Sequence, residues 1–148
     1  MRRQYTAFPL DKSDPGLKDP NKMWMPILSV RLGSKHQYTP SIQAVVDSGS
    51  PYCLARADAA DFLHIKLEDG TEGKIGGVIS GPSEPIFFHR CKIQVESNWI
   101  IEALVGFAKK LAWPVILGRR GFFDNFWVHF DHSKDPPELE INKIERAN

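Results

Sequence analysis

The chain has 148 residues, of which 42% are hydrophobic and 25% are charged, enough for one ordinary globular core and hardly for two. Nineteen Lys and Arg against eighteen Asp and Glu leave a formal charge of +1, so there is no net field to attract nucleic acid or an anionic membrane. We therefore expect one domain with neither nucleic acid nor a membrane as its partner.

Three sequence features bear on location. The longest apolar runs are broken by charged residues well before the roughly 18 residues that a membrane span needs. Residues 1–5 lead into polar sequence without the apolar core of a signal peptide. Cys53 and Cys91 have no CxxC spacing and are typical of buried, reduced thiols. Together these features predict a cytoplasmic protein.

The first 22 residues differ in texture from the rest. Asp, Asn, Ser, Pro and Gly are frequent between residues 11 and 21, and this mixture disfavours both helix and strand. We therefore predict an N-terminal arm or leading loop over residues 1–22 and the globular domain over residues 23–148.

The following segments predict a mainly β protein. Leu28, Val30 and Leu32 alternate with polar residues, which indicates a half-buried strand, and residues 42–46 form its hairpin partner. Good helix formers over residues 55–63 predict a short helix that ends near His64. Further runs of β-branched and aromatic residues predict strands at 74–79, 86–95, 99–107, 115–117, 127–130 and 139–144.

A second short helix is predicted over residues 119–126, because Phe122 and Phe126 lie four residues apart. Arg119 and Arg120 are interpreted as its solvated start, although they could also contact an acidic partner. The predicted fold class is therefore all-β, with one or two short helices.

The strongest chemical signal is the tetrapeptide Asp47-Ser48-Gly49-Ser50, which follows the apolar strand and occurs once. Gly49 lets the backbone turn its N–H toward the carboxylate, and the two serine hydroxyls can each donate another hydrogen bond. Taken alone, the tetrapeptide is most simply an Asx turn after a strand. Two such turns facing each other across a two-fold axis would make the carboxylates share one proton, which gives a base and an acid that activate water.

Two blocks of the sequence resemble retropepsin-like aspartic proteases. Residues 44–50, Ala-Val-Val-Asp-Ser-Gly-Ser, are similar to the active-site turn of that family, apolar-apolar-Asp-Thr/Ser-Gly-Ala/Ser/Thr. Residues 115–119, Val-Ile-Leu-Gly-Arg, are similar to the later strand that threads past the catalytic loop in the family. Residues 116–131 closely resemble the C-terminal block of soluble bacterial members, and the resemblance extends over residues 25–144.

The resemblance implies a single-lobed retropepsin-like acid protease fold, with a closed or orthogonal barrel-like lobe. It implies an aspartic endopeptidase, a peptide hydrolase that needs neither metal nor other cofactor. Because each chain carries one copy of the turn, the second catalytic acid would be Asp47 of the partner subunit in a symmetric homodimer.

The resemblance also implies roles for individual residues. Asp47 would be catalytic, with Ser48, Gly49 and Ser50 supporting its loop. The structural residues packed behind the site would be Ile116, Leu117 and Gly118. A glycine-rich flap over a peptide or protein substrate would comprise Ile75, Gly76, Gly77, Val78 and Ile79, although an ordinary turn or bulge explains this glycine pair equally well.

Other chemistries are disfavoured. His129 and His132 would point to opposite faces of a strand, so they predict no metal site. No serine lies in a G-x-S-x-G context, and the glycine-rich segment lacks the Gly-Lys-Ser/Thr of a phosphate-binding loop. The alternatives that stay open are a non-catalytic peptide-binding or dimerisation module with the same fold, and a precursor whose arm is removed by self-cleavage.

Overall fold

A computed structural model describes residues 1–17, 19–35, 37–74 and 84–147. The chain forms two compact units. The terminal unit combines residues 1–27 with residues 126–148, and the central unit comprises residues 28–125.

Of the residues that the structure describes, 51% lie in strands and 7% in helices, which confirms the expected all-β class. The helical segments are α1, Ala57–Phe62, and a 3-10 turn, Leu67–Asp69. The strands are β1 Arg2–Gln4, β2 Thr6–Pro9, β3 Lys22–Met25, β4 Ile27–Ser34, β5 Gln37–Tyr38, β6 Ile42–Val46, β7 Cys53–Arg56, β8 Thr71–Gly73, β9 Ile86–Val95, β10 Trp99–Ala108, β11 Val115–Leu117, β12 Phe126–Asp131 and β13 Glu138–Lys143.

Six strands of the central unit close on themselves in the order β4, β6, β11, β7, β10 and β9, because β9 also pairs with β4. The predicted alternation in β4 places apolar side chains in the interior: Leu28, Val30 and Leu32 are at most 1% exposed, whereas Arg31 is exposed. Strands β9 and β10 extend over ten residues each and form the longest antiparallel pair. The closed sheet therefore surrounds an apolar core.

Strand β11 lies between two strands that precede it by many residues. It runs parallel to β6, with Val115 opposite Ala44 and Leu117 opposite Val46, and antiparallel to β7. Both β6 and β11 are largely buried, as their nearly uninterrupted apolar sequences suggest. This arrangement places the end of β11 beside the turn that follows β6.

Helix α1 confirms the first predicted helix but begins later than expected. Ala55 belongs to β7, where it pairs with Phe107 of β10 and with Val115 of β11. Among the described residues, no helix combines the length and the apolar character that crossing a bilayer requires.

The second predicted helix is wrong, because residues 121–125 form turns. Gly121 has a φ of +105°, far from the helical value near −63°. The Asp124 carboxylate accepts the Gly121 N–H at 3.1 Å, and the Asn125 amide donates to the Gly121 carbonyl at 2.6 Å. Short polar side chains therefore satisfy the local backbone in place of helical hydrogen bonds.

The terminal unit contains a three-stranded sheet in the order β1, β13, β12 and the separate hairpin of β2 and β3. The expected loop is thus wrong for residues 2–4 and 6–9, which are strands. The Met1 amino group donates to the Ile141 carbonyl at 2.8 Å, and the Ile141 N–H donates to the Met1 carbonyl at 2.9 Å. Pairing with a distant strand outweighs the weak strand propensity of these residues. The proposed domain boundary at residues 22/23 stays a prediction.

Candidate active site

Asp47 is the first residue after β6, and the chain reaches the surface of the central unit at this residue. Its N–H donates to the Leu117 carbonyl at 3.0 Å, so the ladder between β6 and β11 continues to its backbone. The three residues before it are buried, whereas the Asp47 side chain is exposed. The strand is therefore anchored while its terminal carboxylate stands at the surface.

The backbone of the turn supports this carboxylate. The Gly49 N–H donates to Asp47 Oδ1 at 2.9 Å, and the Ser50 N–H donates to the Asp47 carbonyl at 3.2 Å. Within the described part of the chain, no second protein donor reaches the carboxylate. The other carboxylate oxygen is therefore available to a water or an acid.

The two serines occupy different environments. Ser50 is 9% exposed, and its hydroxyl donates to the Tyr52 carbonyl at 2.7 Å. It therefore braces the exit of the turn and does not bond the carboxylate. Ser48 is exposed at the tip of the turn.

Gly118 permits the close approach of β11 to the turn. A Cβ at this position would lie 2.1 Å from the Tyr52 carbonyl oxygen and 2.7 Å from that of Ser50. Immediately afterwards, the Arg119 N–H donates to the Ser50 carbonyl at 2.9 Å, and the Arg120 N–H donates to the Pro51 carbonyl at 3.0 Å. The chain that leaves β11 is thus hydrogen-bonded along the outgoing half of the turn.

Arg119 is the residue of this site that sequence reasoning missed. Its Nη1 donates to the Ser48 carbonyl at 3.1 Å, so the side chain fastens the tip of the turn. The interpretation of Arg119 as a solvated helix start depended on a helix that does not form. The sequence feature that could have indicated this role is the position of Arg119 directly after Gly118. There the N–H groups of its guanidinium can reach the carbonyl oxygens of the tight turn.

Ile116 has a different environment from its neighbours on β11. Val115 and Leu117 are buried in the interior, whereas Ile116 is half-buried on the other face, as strand alternation requires. There it packs on a second apolar cluster built on Leu54, Ile86 and Ala108, to which Tyr52 also belongs. An apolar surface therefore lies next to the Asp47 turn.

Cys53, at the start of β7, lies below the turn with its thiol 3.5 Å from the Arg120 carbonyl oxygen. Burial raises the pKa of the Cys53 thiol and raises that of Cys91 to about 11. Both cysteines are free and buried, as expected. Because the thiolate is the nucleophilic form, neither residue is suited to attack a substrate.

The remaining predicted residues lie outside this arrangement. The predicted flap, Ile75, Gly76, Gly77, Val78 and Ile79, falls outside the described residues, and β8 ends just before it at Gly73. His132 is in the terminal unit, where its Nε2 shares a hydrogen bond of 3.0 Å with the Tyr5 hydroxyl. Among the side chains that the structure describes, no three of His, Cys, Asp or Glu are grouped to hold a metal ion.

Comparison with models of protein families finds no match, and a search of curated proteins finds none either. The chemistry of the site must therefore be inferred from the Asp47 turn and its surroundings.

Proposed function

We propose that this protein is a retropepsin-like aspartic endopeptidase whose active form is a symmetric homodimer. The observation that carries the proposal is the Asp47 turn: an exposed carboxylate, bonded by the Gly49 N–H, at the end of a strand anchored by β11. The second acid of the pair would be Asp47 of the partner subunit.

In the proposed mechanism, the two carboxylates hold one water and share one proton. The ionised carboxylate removes a proton from the water, while the protonated one polarises the scissile carbonyl. The attacking oxygen adds to that carbonyl carbon to give a tetrahedral intermediate. The C–N bond then breaks, and the proton taken from the water passes to the leaving amine nitrogen. Neither a metal ion nor a covalent intermediate is required.

The hydrogen bonds behind the turn would give the acid its fixed position. Arg119 bonds the tip through the Ser48 carbonyl, and Ser50 bonds the exit through the Tyr52 carbonyl. A catalytic group held by packed supporting residues loses little order when the substrate binds. Ser48, exposed at the tip, would brace the turn against its symmetry mate.

The proposed substrate is an extended peptide that pairs through its backbone with the cleft and the flap. Tyr52 and Ile116 belong to the half-buried apolar cluster beside the turn, which suits apolar side chains at the scissile bond. The two buried free thiols fit a reducing compartment, so we propose a cytoplasmic location.

Replacing Asp47 by Asn tests the chemistry. Asn keeps the shape and can still accept the Gly49 N–H, but it cannot serve as the base, so we expect hydrolysis of a peptide library to fall by about 10³-fold or more. The matched control is Asp61→Asn, at an exposed position of α1. Equal cleavage by Asp47→Asn and the wild type would refute the assignment.

Mixing subunits tests the shared site. An excess of Asp47→Asn chains is expected to inhibit the wild type, because mixed dimers carry one functional acid. Sedimentation should show that wild type and variant form dimers of the same size. A wild type that cleaves peptides as a monomer, or that excess variant leaves unaffected, would contradict the proposal.

The pH profile follows from the shared proton. We expect the rate to be highest at mildly acidic pH and to fall as the pH rises and both carboxylates ionise. Measuring kcat/KM from acid to neutral pH checks this expectation. A rate that rises steadily above neutral pH would argue for a different base.

The second candidate is a non-catalytic peptide-binding or dimerisation module. The observation that favours it is the bond from Gly49 to Asp47, which also occurs in a purely structural Asx turn. A statine-type transition-state mimic separates the two candidates, because tight binding requires a working pair of acids. Mass spectrometry after incubation at low pH would show whether the chain shortens itself, as the precursor hypothesis predicts.

A further inference from the structure

The central unit contains a cavity of about 490 Å³ that the proposed protease chemistry does not use. Its lining comes from the end of β4, from β5, from the segment between α1 and the 3-10 turn, from the end of that turn and from β9. No residue of the Asp47 turn lines it. The volume is typical of a site for a small organic ligand.

Hydrogen bonds fix the walls of this cavity. The Gln37 side chain donates from β5 to the Phe62 carbonyl at the end of α1, at 3.2 Å. His89 of β9 bonds the Leu67 carbonyl of the 3-10 turn through Nε2 at 2.9 Å. The cavity is therefore built by contacts between separate elements and is formed before any ligand arrives.

Cationic groups predominate in the lining. Lys35, which follows β4, and Lys66, which precedes the 3-10 turn, both belong to the lining and are exposed to solvent. The imidazole of His64, also exposed, can donate a hydrogen bond, whereas Asp69 is the one acidic residue of the lining. This combination favours an anionic ligand over a cation.

The backbone beneath two of these groups is unusual. Lys35 has a φ of 53° and His64 a φ of 56°, in the left-handed region where glycine or asparagine costs less. Of the three non-glycine residues with positive φ in the described ranges, these two line the same cavity. The turn between β4 and β5 accounts for the conformation of Lys35, and the end of α1 accounts for that of His64, whose N–H donates to the Asp61 carbonyl.

We infer that this cavity binds a small phosphate ester. Lys35 and Lys66 supply point charges for the phosphate, and His64 supplies a hydrogen bond. Leu63 and Ile65, in the same lining, contact the apolar body of the ester. The inference is independent of peptide hydrolysis.

The test uses phenyl phosphate as the probe, with binding measured by calorimetry and by amide shifts in the NMR spectrum. The double variant K35Q/K66Q is expected to bind roughly ten-fold more weakly, since exposed charge contacts contribute up to about 1 kcal/mol each. The matched control, K92Q/K109Q, removes the same charge from exposed positions outside the lining and should bind like the wild type.

Asp69→Asn provides a test of opposite sign. Removing the acid from the lining should tighten phenyl phosphate binding by roughly two- to five-fold, a gain that unfolding cannot mimic. If inorganic phosphate binds as tightly as phenyl phosphate, the result would support a phosphate site and would show that the cavity recognises the phosphate group alone. Phenol that binds as tightly as phenyl phosphate, or equal weakening by K35Q/K66Q and by K92Q/K109Q, would overturn the proposal.

Discussion

At the scale of single residues, position 118 requires glycine because the backbone of the Asp47 turn lies too close for a side chain. Replacing it by Ala places Cβ 2.1 Å from the Tyr52 carbonyl oxygen, so β11 or the turn must shift. We expect Gly118→Ala to lower the free energy of unfolding by at least about 3 kcal/mol, measured by urea denaturation.

Gly16→Ala is the matched control for that substitution. Gly16 is exposed, and the nearest atom that its Cβ would meet is Asp14 Oδ1 at 3.2 Å, a contact that a shift of a few tenths of an ångström relieves. We expect this change to stay within about 0.5 kcal/mol of the wild type. Similar losses for the two variants would show that Gly118 is not needed for close approach.

The two thiols provide a second prediction at this scale. Because the pKa of Cys91 is raised to about 11 from 9.0, the folded protein keeps a proton that the unfolded chain releases. The contribution of this protonated thiol to the free energy of unfolding is therefore complete below pH 9 and is lost as the pH rises toward 11.

The same burial protects both thiols from alkylation. At pH 8, we expect iodoacetamide to label Cys53 and Cys91 only after denaturation. Rapid labelling of either residue in the native protein, located by mass spectrometry, would contradict this expectation.

Residue chemistry predicted part of the site. The bond from Gly49 to Asp47 follows from the tetrapeptide itself, since it joins residues two positions apart. The bonds of Ser50 and Arg119 go to carbonyl oxygens whose positions depend on how β11 meets the turn. Such contacts cannot be obtained from local sequence because they require the register between distant strands.

At the scale of elements, prediction succeeded where the apolar pattern was strong. The bounds of β6, β9 and β11 match those expected, because buried strands carry long apolar runs. Prediction of the second helix failed at residues 119–126, because Asp124 and Asn125 bond the backbone of Gly121. Prediction also failed at β1, whose polar sequence becomes a strand only by pairing with β13.

Arg56 carries a prediction at this scale, because it fastens the connection between β10 and β11. Its Nε donates to the Leu111 carbonyl at 3.1 Å, and its Nη2 donates to the Ala112 carbonyl at 3.0 Å. Arg56→Gln should release this connection, lower stability by about 1 kcal/mol and speed trypsin cleavage after Lys109 and Lys110.

The comparison for that variant is Arg90→Gln, which removes an exposed arginine from β9. Trypsin should cut this control at the wild-type rate. The rate is measured by mass spectrometry of the fragments. If Arg56→Gln is cut no faster than Arg90→Gln, the side chain does not hold the connection.

At the scale of the whole molecule, the two ends of the chain build one unit. Strand β1 pairs with β13 over three residues, and the Tyr5 N–H donates to the Pro137 carbonyl at 2.8 Å. Deleting residues 1–10 should therefore reduce hydrogen-exchange protection in β12 and β13. Strands β9 and β10, which keep their partners, should retain their protection.

Hydrogen exchange measured by NMR on the shortened chain checks this prediction. Unchanged protection in β13 would show that β1 contributes little to the sheet. The polar residues between positions 11 and 21 led to the expected arm, and no local signal could show that the preceding residues pair with the end of the chain. Non-local pairing is the part of this architecture that local sequence patterns do not encode.

The position of β11 also has a consequence for the order of folding. Strand β6 and its parallel neighbour lie roughly seventy positions apart in the chain, so a nascent chain must emerge almost to the end of the central unit before they meet. Until then, β6 and β7 lack the strand that lies between them, and the backbone groups along those two edges stay unpaired and open to association. Closing so long a loop is slow. We therefore expect the insertion of the three-residue strand β11 between β6 and β7 to limit the folding rate of the central unit.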